Sequence, residues 1–341
     1  MRSKYLLALA FVFSCSVGFT AEPTDPGPNK PDEAKAKTFS MTKAVEFLDN
    51  ASLNWQKEKQ CFACHTNYAY LYARPMVGKD TAAEKKVRSF AEELVTNRWK
   101  EKGPRWDAEV IATAAALAFH DSLTTGKLHE TTKTALDRMW TVQKPDGGWS
   151  WLKCGWPPME SDDHYGVTLA LLAVGVAPGE YAKTPQAMAG VAKAREYLSK
   201  NKSKHLHHDA MLLWTNNYVP GLISEQEKTG IIKQLLSKQL PDGGWSSATL
   251  GDYQRADKKE QDLKNADGYG TGFATYILLK SGLPHNHEAV SKGIQWIKSN
   301  QKESGRWFTR SLNKDNKHYL TNVGTAFAVM ALAEATPKGA E

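Results

Sequence analysis

Two cysteines and a histidine lie together near the start of the sequence, in the run CFACH at 61–65. Cysteines at this spacing with His directly after the second are typical of c-type haem attachment, in which both thiols bond to the porphyrin and the His binds the iron. The sequence therefore predicts haem c held by Cys61, Cys64 and His65. A structural disulfide or a redox dithiol is the alternative interpretation, and the His after the second Cys favours haem.

The iron of such a haem has a sixth position to fill. Met76, eleven residues after His65, is the candidate ligand and would give an electron-transfer site, whereas an open position would suit small-ligand chemistry. Zinc would need two further ligands, and Cys154 with a His is the only candidate set, so no zinc is expected. Cys154 itself is expected to be buried and unreactive.

The N-terminus indicates export. Residues 1–20 have a basic start, an apolar centre and small residues before the end, which is the layout of a signal peptide. A lipid anchor at Cys15 is the less favoured alternative, because Phe13 is bulky for a lipoprotein signal. Residues 21–41 are Pro-rich and charged, which predicts a disordered tether. We expect a periplasmic or otherwise extracytoplasmic protein, the compartment in which c-type haem is attached.

The charge distribution limits the partners. The chain has 44 Lys and Arg against 37 Asp and Glu, a net charge of +7, but the basic residues are scattered. This favours an ordinary solvated surface over a nucleic-acid site, while weak attraction to an anionic membrane surface and a redox partner both stay open. The run HLHH at 205–208 is expected to be a surface loop.

A repeat organises the rest of the chain. QKPDGGWS at 143–150 matches QLPDGGWS at 239–246 at seven of eight positions, and QKESGRW at 301–307 is a decayed third copy. Each copy follows an amphipathic helical segment and precedes an apolar one rich in small residues, which indicates a helical hairpin. Degenerate units between and before these copies bring the total to about six hairpins in one domain, 42–337.

The turn sequence has a physical logic. Asp-Gly-Gly permits the positive φ angles of a reversal after a helix, and the Trp can bury its ring while its N–H keeps a polar partner. Hairpins that cannot bury their inner faces alone will stack, and six inner helices side by side close into a ring. The sequence thus predicts an all-α fold, an (α/α)6 toroid. Because CFACH follows Gln60 where the first turn should lie, the haem is expected at the rim of this ring.

These repeats resemble the QW repeats of squalene-hopene cyclases and of protein prenyltransferase β subunits, over residues 43–336. The resemblance implies a toroid with an apolar central cavity suited to isoprenoid chains. It also implies, by the match of ESDD at 160–163 to the cyclase Asp-x-Asp-Asp motif, that Asp162 is a proton donor with Asp163 beside it. Glu160 departs from that motif, and the chain has length for one toroid where cyclases use two. The prenyltransferase zinc site keeps its Asp at Asp267 but lacks the Cys.

The acids have a second interpretation. Asp162 and Asp163 form a like-charge pair that could raise one pKa, as a protonating acid requires. Asp is equally a favoured helix N-cap, and most of the predicted inner helices begin with an acid, which favours capping.

Two functions follow from the sequence. The first is a terpene-cyclase-like enzyme, of isomerase or lyase type, that binds or transforms an isoprenoid or similar apolar substrate and carries haem c. The second is a non-catalytic periplasmic monohaem protein that transfers electrons or binds a lipid or partner. The sequence leaves open whether the protein is an enzyme at all.

Overall fold

The computed structural model describes residues 22–336, which form twelve main helices arranged as six hairpins. Each hairpin pairs an outer helix with an inner one. The pairs are α1 (Met41–Lys59) with α2 (64–76), α3 (82–101) with α4 (Asp107–Leu123), α5 (Glu130–Thr141) with α6 (Asp163–Val176), α7 (Pro185–Lys200) with α8 (Leu206–Asn216), α9 (Glu225–Ser237) with α10 (Gly268–Lys280), and α11 (Glu288–Ser299) with α12 (Leu320–Ala335). Short 3-10 turns lie at Tyr181–Lys183 and Ser247–Leu250, and the described residues contain no extended strand.

The two kinds of helix differ in how they are buried. Outer helices bury one stripe: in α11 the buried side is formed by Ala289, Val290, Gly293, Trp296 and Ile297, at the spacing of one helix face. Inner helices are buried on nearly every side: 12 of the 14 residues of α6 and 12 of the 16 residues of α12 are buried. A helix that is apolar all round must lie inside the protein, so the inner helices form the core.

The inner helices close into a ring. Each packs on the next along the chain, and α12 packs back on α2. Gln301 closes the outer layer, because its side-chain amide donates to the carbonyl of Ser40 at 2.9 Å and its carbonyl oxygen accepts from the Ser40 N–H at 2.8 Å. Ser40 is the N-cap of α1. The predicted all-α toroid of six hairpins is confirmed.

The three Trp-containing turns repeat one set of hydrogen bonds. Each Trp ring is fully buried, and its N–H donates to the backbone carbonyl ten residues earlier, at the end of the preceding outer helix: Trp149 to Met139 at 2.8 Å, Trp245 to Leu235 at 2.7 Å and Trp307 to Ile297 at 2.7 Å. Each Gln side chain donates across its own turn to a Gly carbonyl, at 2.8 to 3.0 Å. The predicted polar partner of the Trp N–H is therefore present at all three turns.

Aromatic side chains fill the centre of the ring. Trp214 on α8 lies 5.4 Å from Phe119 on α4 and 6.2 Å from Phe327 on α12, measured between ring centroids. These helices are not neighbours in the ring, so their side chains meet only across its axis. Trp214 is fully buried. The open apolar cavity that the resemblance implied is thus replaced by packed rings at this level of the toroid.

Residues 22–40 differ from the predicted disordered tether. Backbone atoms of this segment pair with the last turn: Ala36 N–H donates to the Gln301 carbonyl at 2.8 Å. Arg306 is buried against the segment, donates to Asn29 Oδ1 at 2.6 Å and lies 3.2 Å from the Glu33 carboxylate. The composition of this segment did not indicate its ordered contacts, because they depend on a partner about 270 residues away in sequence.

One prediction concerns residues that the structure does not describe. The predicted signal peptide, 1–20, lies outside the described residues. Among residues 22–336, none of the helices combines the length and the apolar character needed to cross a bilayer.

Candidate functional site

The CFACH run lies at the end of the ring where the inner helices begin. Gln60 ends α1 with the left-handed backbone conformation, φ 47°, and reverses the chain. Cys64 then starts α2, whose first turn, Cys64–Tyr68, is π-helical. The long loops that precede α6, α10 and α12 lie at the same end of the ring because they also lead into inner helices. We call this end the rim.

His65 is held between two aromatic side chains. Its imidazole stacks on the Tyr319 ring, with 4.7 Å between centroids and 6° between planes, and it meets the Trp55 ring edge-on at 4.7 Å. Its Nδ1 lies 2.8 Å from the Thr66 hydroxyl. Burial lowers the pKa of His65 to about 4, so the imidazole is neutral near pH 7. Within residues 22–336 its Nε2 has no hydrogen-bond partner, which leaves that nitrogen free to bind a metal.

The two thiols beside His65 are free and partly buried. Burial raises the pKa of the Cys64 thiol well above its ordinary value, and the charge of Glu160 adds to this effect. Burial also raises the pKa of Cys61, against the charge of Arg105. Both thiols are consequently protonated near neutral pH. Cys154 is exposed, which corrects the expectation that it is buried.

A cavity of about 200 Å³ opens beside His65. Its walls come from α2, from the loop before α6 and from the loop and first turn of α12. Aromatic and apolar groups form most of it, and the lining residues are His65, Trp156, Pro157, Met159, Glu160, Ser311, Lys317, Tyr319 and Leu320. Burial raises the pKa of the Glu160 carboxyl, the one acid in this lining.

The loop that forms one wall of this cavity is fixed by hydrogen bonds. Glu160 N–H donates to the Trp156 carbonyl at 3.0 Å and closes the loop on itself. The Trp151 indole N–H donates to the Met159 carbonyl at 2.6 Å, and His208 Nε2 lies 3.0 Å from the Pro158 carbonyl. Met159 is 5% exposed. The cavity wall is therefore a preformed part of the fold.

Met76, the predicted sixth ligand, does not reach this cavity. It lies in the 3-10 turn Arg74–Met76 that ends α2, whereas His65 lies in the first turn of the same helix. Eleven residues at the helical rise put them about 16 Å apart. An uninterrupted helix separates the two, so Met76 cannot approach an iron bound to His65 unless α2 unwinds.

The predicted acids hold local structure. Asp162 is the N-cap of α6: its carboxylate accepts from the Tyr165 N–H at 3.2 Å and lies 3.3 Å from His208 Nδ1. Asp163 accepts from the Trp151 N–H at 2.9 Å and pairs with Lys153 at 3.2 Å.

These contacts keep Asp163 ionised. Burial raises the pKa of its carboxyl, but the hydrogen bonds from Trp151 and Lys153, with the charge of Lys144, outweigh that effect and hold the pKa below its usual value. The geometry thus agrees with the capping interpretation for Asp162, and the contacts of Asp163 favour its carboxylate over the protonated form that an acid catalyst needs.

The run HLHH is not the expected surface loop. It begins at the N-cap of α8, and both His207 and His208 are completely buried. His207 Nε2 lies 2.7 Å from the Tyr269 hydroxyl, and its ring stacks on Phe273 at 4.6 Å. Across residues 22–336, no three His, Cys, Asp or Glu side chains gather closely enough to hold a metal ion.

Sequence reasoning identified His65 as a functional residue of this cavity but did not identify the distant residues that form its other walls. It found the CFACH run by its spacing, but Trp156, Met159 and Tyr319 carry no local signal of their own. They lie more than 90 residues from His65 along the chain, and the closed ring brings them to it.

The C-terminal third of the chain is similar to a known family. Residues 221–337 match the squalene-hopene cyclase C-terminal domain. This match contains the second and third Trp turns and helices α9 to α12, so it agrees with the resemblance seen in the repeats. No curated protein sequence matches the chain significantly.

Solved structures share the fold at low identity. An ent-copalyl diphosphate synthase from Streptomyces platensis is 16% identical, with a TM-score of 0.52 over 79% of this chain and 50% of that one. A polysaccharide lyase is 14% identical, TM-score 0.53, covering 86% and 96%. The GH76A alpha-1,6-mannanase from Salegentibacter sp. HEL1_6 is 11% identical, TM-score 0.52, covering 87% and 99%. At such identities the likeness shows the α/α-toroid fold alone.

Proposed function

We propose that this protein is an exported monohaem electron-transfer protein in which a squalene-cyclase-like toroid carries haem c at its rim. The observation that carries the proposal is the donor set at the start of α2: the free thiol of Cys61 in the turn before the helix, and the Cys64 thiol and the His65 imidazole on its first turn. His65 is neutral, its Nδ1 is engaged by Thr66, and its Nε2 is the nitrogen left for iron.

Two features of the surrounding residues support a porphyrin at these donors. Each thiol would add across one vinyl group, and this addition needs thiols that are reduced and accessible, as Cys61 and Cys64 are. The cavity beside His65 has a mostly apolar and aromatic lining that would limit the access of water to one face of the porphyrin. Once bound, haem supplies reversible one-electron chemistry at its iron.

The rim position suits exchange with a redox partner. Cys61, Cys64 and His65 are all partly exposed, so the edge of a haem attached there would stay near the surface. The protein's own residues then have three tasks: to hold the group, to orient the imidazole through Tyr319 and Trp55, and to limit the access of water.

The test is covalent haem. The full chain, with its signal sequence, is produced in a periplasm that matures cytochromes c, and a pyridine haemochrome spectrum is recorded. We expect one covalent haem per chain, and loss of the thioether-linked spectrum in a Cys61→Ala/Cys64→Ala variant. Cys154→Ala is the matched control and should keep the haem, because Cys154 is exposed and outside the run. A wild-type protein without covalent haem would overturn the proposal.

The match of residues 221–337 supports a second candidate, an isoprenoid-transforming enzyme. Two features weigh against it: the ring centre is packed by Trp214, Phe119 and Phe327, and the carboxylate of Asp162, the acid that the resemblance implied, caps α6. Incubation with squalene or a polyprenyl lipid tests it directly. Turnover that Asp162→Asn abolishes would support the enzyme, and absence of turnover would remove it.

A further inference from the structure

The cavity beside His65 offers several side chains that can bind iron, and they are not equivalent. Besides His65, the lining includes four with a possible ligand atom: Met159, Glu160, Lys317 and Tyr319. If His65 held a haem iron through its Nε2, a second protein ligand would have to come from the side of the cavity beyond that nitrogen and not from the face of the imidazole.

Tyr319 lies on the wrong side for that position. Its ring stacks flat on the imidazole, 4.7 Å away and 6° from parallel. A ring that lies over the face of His65 is beside the proximal ligand and not beyond its Nε2. Tyr319 therefore orients the imidazole instead of binding the metal.

Lys317 and Glu160 are poorer donors than a thioether at this site. The Lys317 ammonium lies 5.7 Å from the Tyr319 ring, where its positive charge is favoured, and it would have to lose a proton before it could bind iron. Glu160 offers a hard oxygen ligand, whereas electron-transfer haems use a softer thioether or imidazole.

Met159 has the properties that the others lack. It is neutral at every pH, it is 5% exposed, and its thioether is a ligand of haem iron in electron-transfer proteins. The hydrogen bonds from Trp151 to its carbonyl and from His208 to the Pro158 carbonyl fix the backbone that presents it. A ligand arm held in place by the fold loses little entropy on binding.

We infer that Met159, and not Met76, is the sixth ligand of the haem iron at His65, so that the rim loop 156–160 supplies the distal half of the site. The inference rests on the haem proposed above. It assigns a function to a loop about 90 residues from the CFACH run, and it predicts a closed, six-coordinate, low-spin electron-transfer centre.

The experiment is spectroscopic and uses full-length protein matured with haem. The ferric wild type should show the weak charge-transfer band at the red end of the spectrum that a methionine sulfur gives with haem iron. Met159→Leu, which keeps the volume and removes the sulfur, should lose this band and keep its covalent haem by pyridine haemochrome. It should also bind added imidazole at least about tenfold more tightly, because no internal ligand has to be displaced.

Met76→Leu is the matched control and should leave both the band and the imidazole affinity unchanged. The inference is overturned if the haem-loaded wild type lacks the band, if Met159→Leu keeps it, or if Met76→Leu loses it. None of these three results would contradict the proposed haem site. A wild type without covalent haem would overturn the haem proposal, and this inference with it.

Discussion

The first and the last of the turns that join outer to inner helices in this ring differ in their hydrogen bonds. At the last turn, Gln301 bonds to Ser40 and to its own Gly305, while Trp307 is buried under the end of α11. At the first turn, the aligned Gln60 is exposed, and its side chain donates only to the Lys57 carbonyl at 3.1 Å. The first turn therefore lacks the Gln hydrogen bonds that stabilise the last turn, as expected if its side chains hold the proposed haem.

The first turn is stabilised from inside the hairpin instead. Asn67 is fully buried, donates to the Ser52 carbonyl at 3.0 Å and accepts from the Ala63 N–H at 3.2 Å. Phe62 packs on Tyr68, with 4.5 Å between ring centroids. These contacts tie the CFACH run to α1 and α2 without using the thiols or the imidazole.

The largest effect should come from the Trp of a QW turn. Trp307→Ala removes a fully buried ring and its hydrogen bond to Ile297, so we expect a loss of about 3–5 kcal/mol in the free energy of unfolding. Thr66, six residues after Gln60 as Trp307 is six after Gln301, is the matched position in the first turn. Thr66→Ala should cost about 1 kcal/mol. Urea unfolding measures both, and equal losses would contradict the division between the two turns.

The next largest loss of stability is expected at Gly305, where the last turn approaches α1 closely. Gly305 has φ +94°, and a Cβ there would overlap the backbone carbonyl of Lys43. Gly305→Ala should destabilise the fold by about 3 kcal/mol, through backbone strain and displacement of α1.

Gly282 is the control for that strain. Its φ is +96°, but open space surrounds it, so Gly282→Ala should cost only about 1–2 kcal/mol. The difference between the two thermal or urea midpoints isolates the contact that closes the ring. Identical midpoints would show that the contact with Lys43 contributes nothing.

The aligned residues Gln301 and Gln60 should show a smaller difference in the free energy of unfolding. Gln301→Ala breaks three hydrogen bonds and leaves polar backbone groups at Ser40 and Gly305 without these partners, so we expect a loss of about 2 kcal/mol. Gln60→Ala should cost less than about 0.5 kcal/mol, because that side chain is exposed. Denaturant unfolding of both variants tests whether the amide has lost its role at the first turn.

The sequence predicted those features of the fold that depend on local sequence patterns. Periodicity and the repeated turns gave the six hairpins and the ring, and the need of a buried indole for an acceptor gave the Trp hydrogen bonds. The contents of the ring centre, the order of residues 22–40 and the burial of His207 were not predictable, since each depends on distant side chains. Nearness in sequence favoured Met76 as the sixth ligand, but a continuous helix holds Met76 away from His65.

The smallest predicted loss of stability concerns the loop before α6, which lines the cavity beside His65 and so faces the first turn. Asp163 fixes this loop through the Trp151 N–H, and its carboxyl has a pKa below the usual value. A carboxyl with a depressed folded pKa adds stability above its unfolded pKa and loses it as the pH falls through the folded pKa. Asp163→Asn should therefore cost about 0.5–1 kcal/mol near pH 7 and progressively less as the pH is lowered toward about 3.

Asp162→Asn is the control in the same loop, because Asn caps a helix about as well as Asp and should leave stability near pH 7 almost unchanged. Urea midpoints at both pH values compare the variants with the wild type. A deficit for Asp163→Asn that grows as the pH falls would contradict the ionised state of Asp163. It would reopen the acid role that the cyclase resemblance implied for this pair, and with it the ring centre as the site of chemistry in place of the rim.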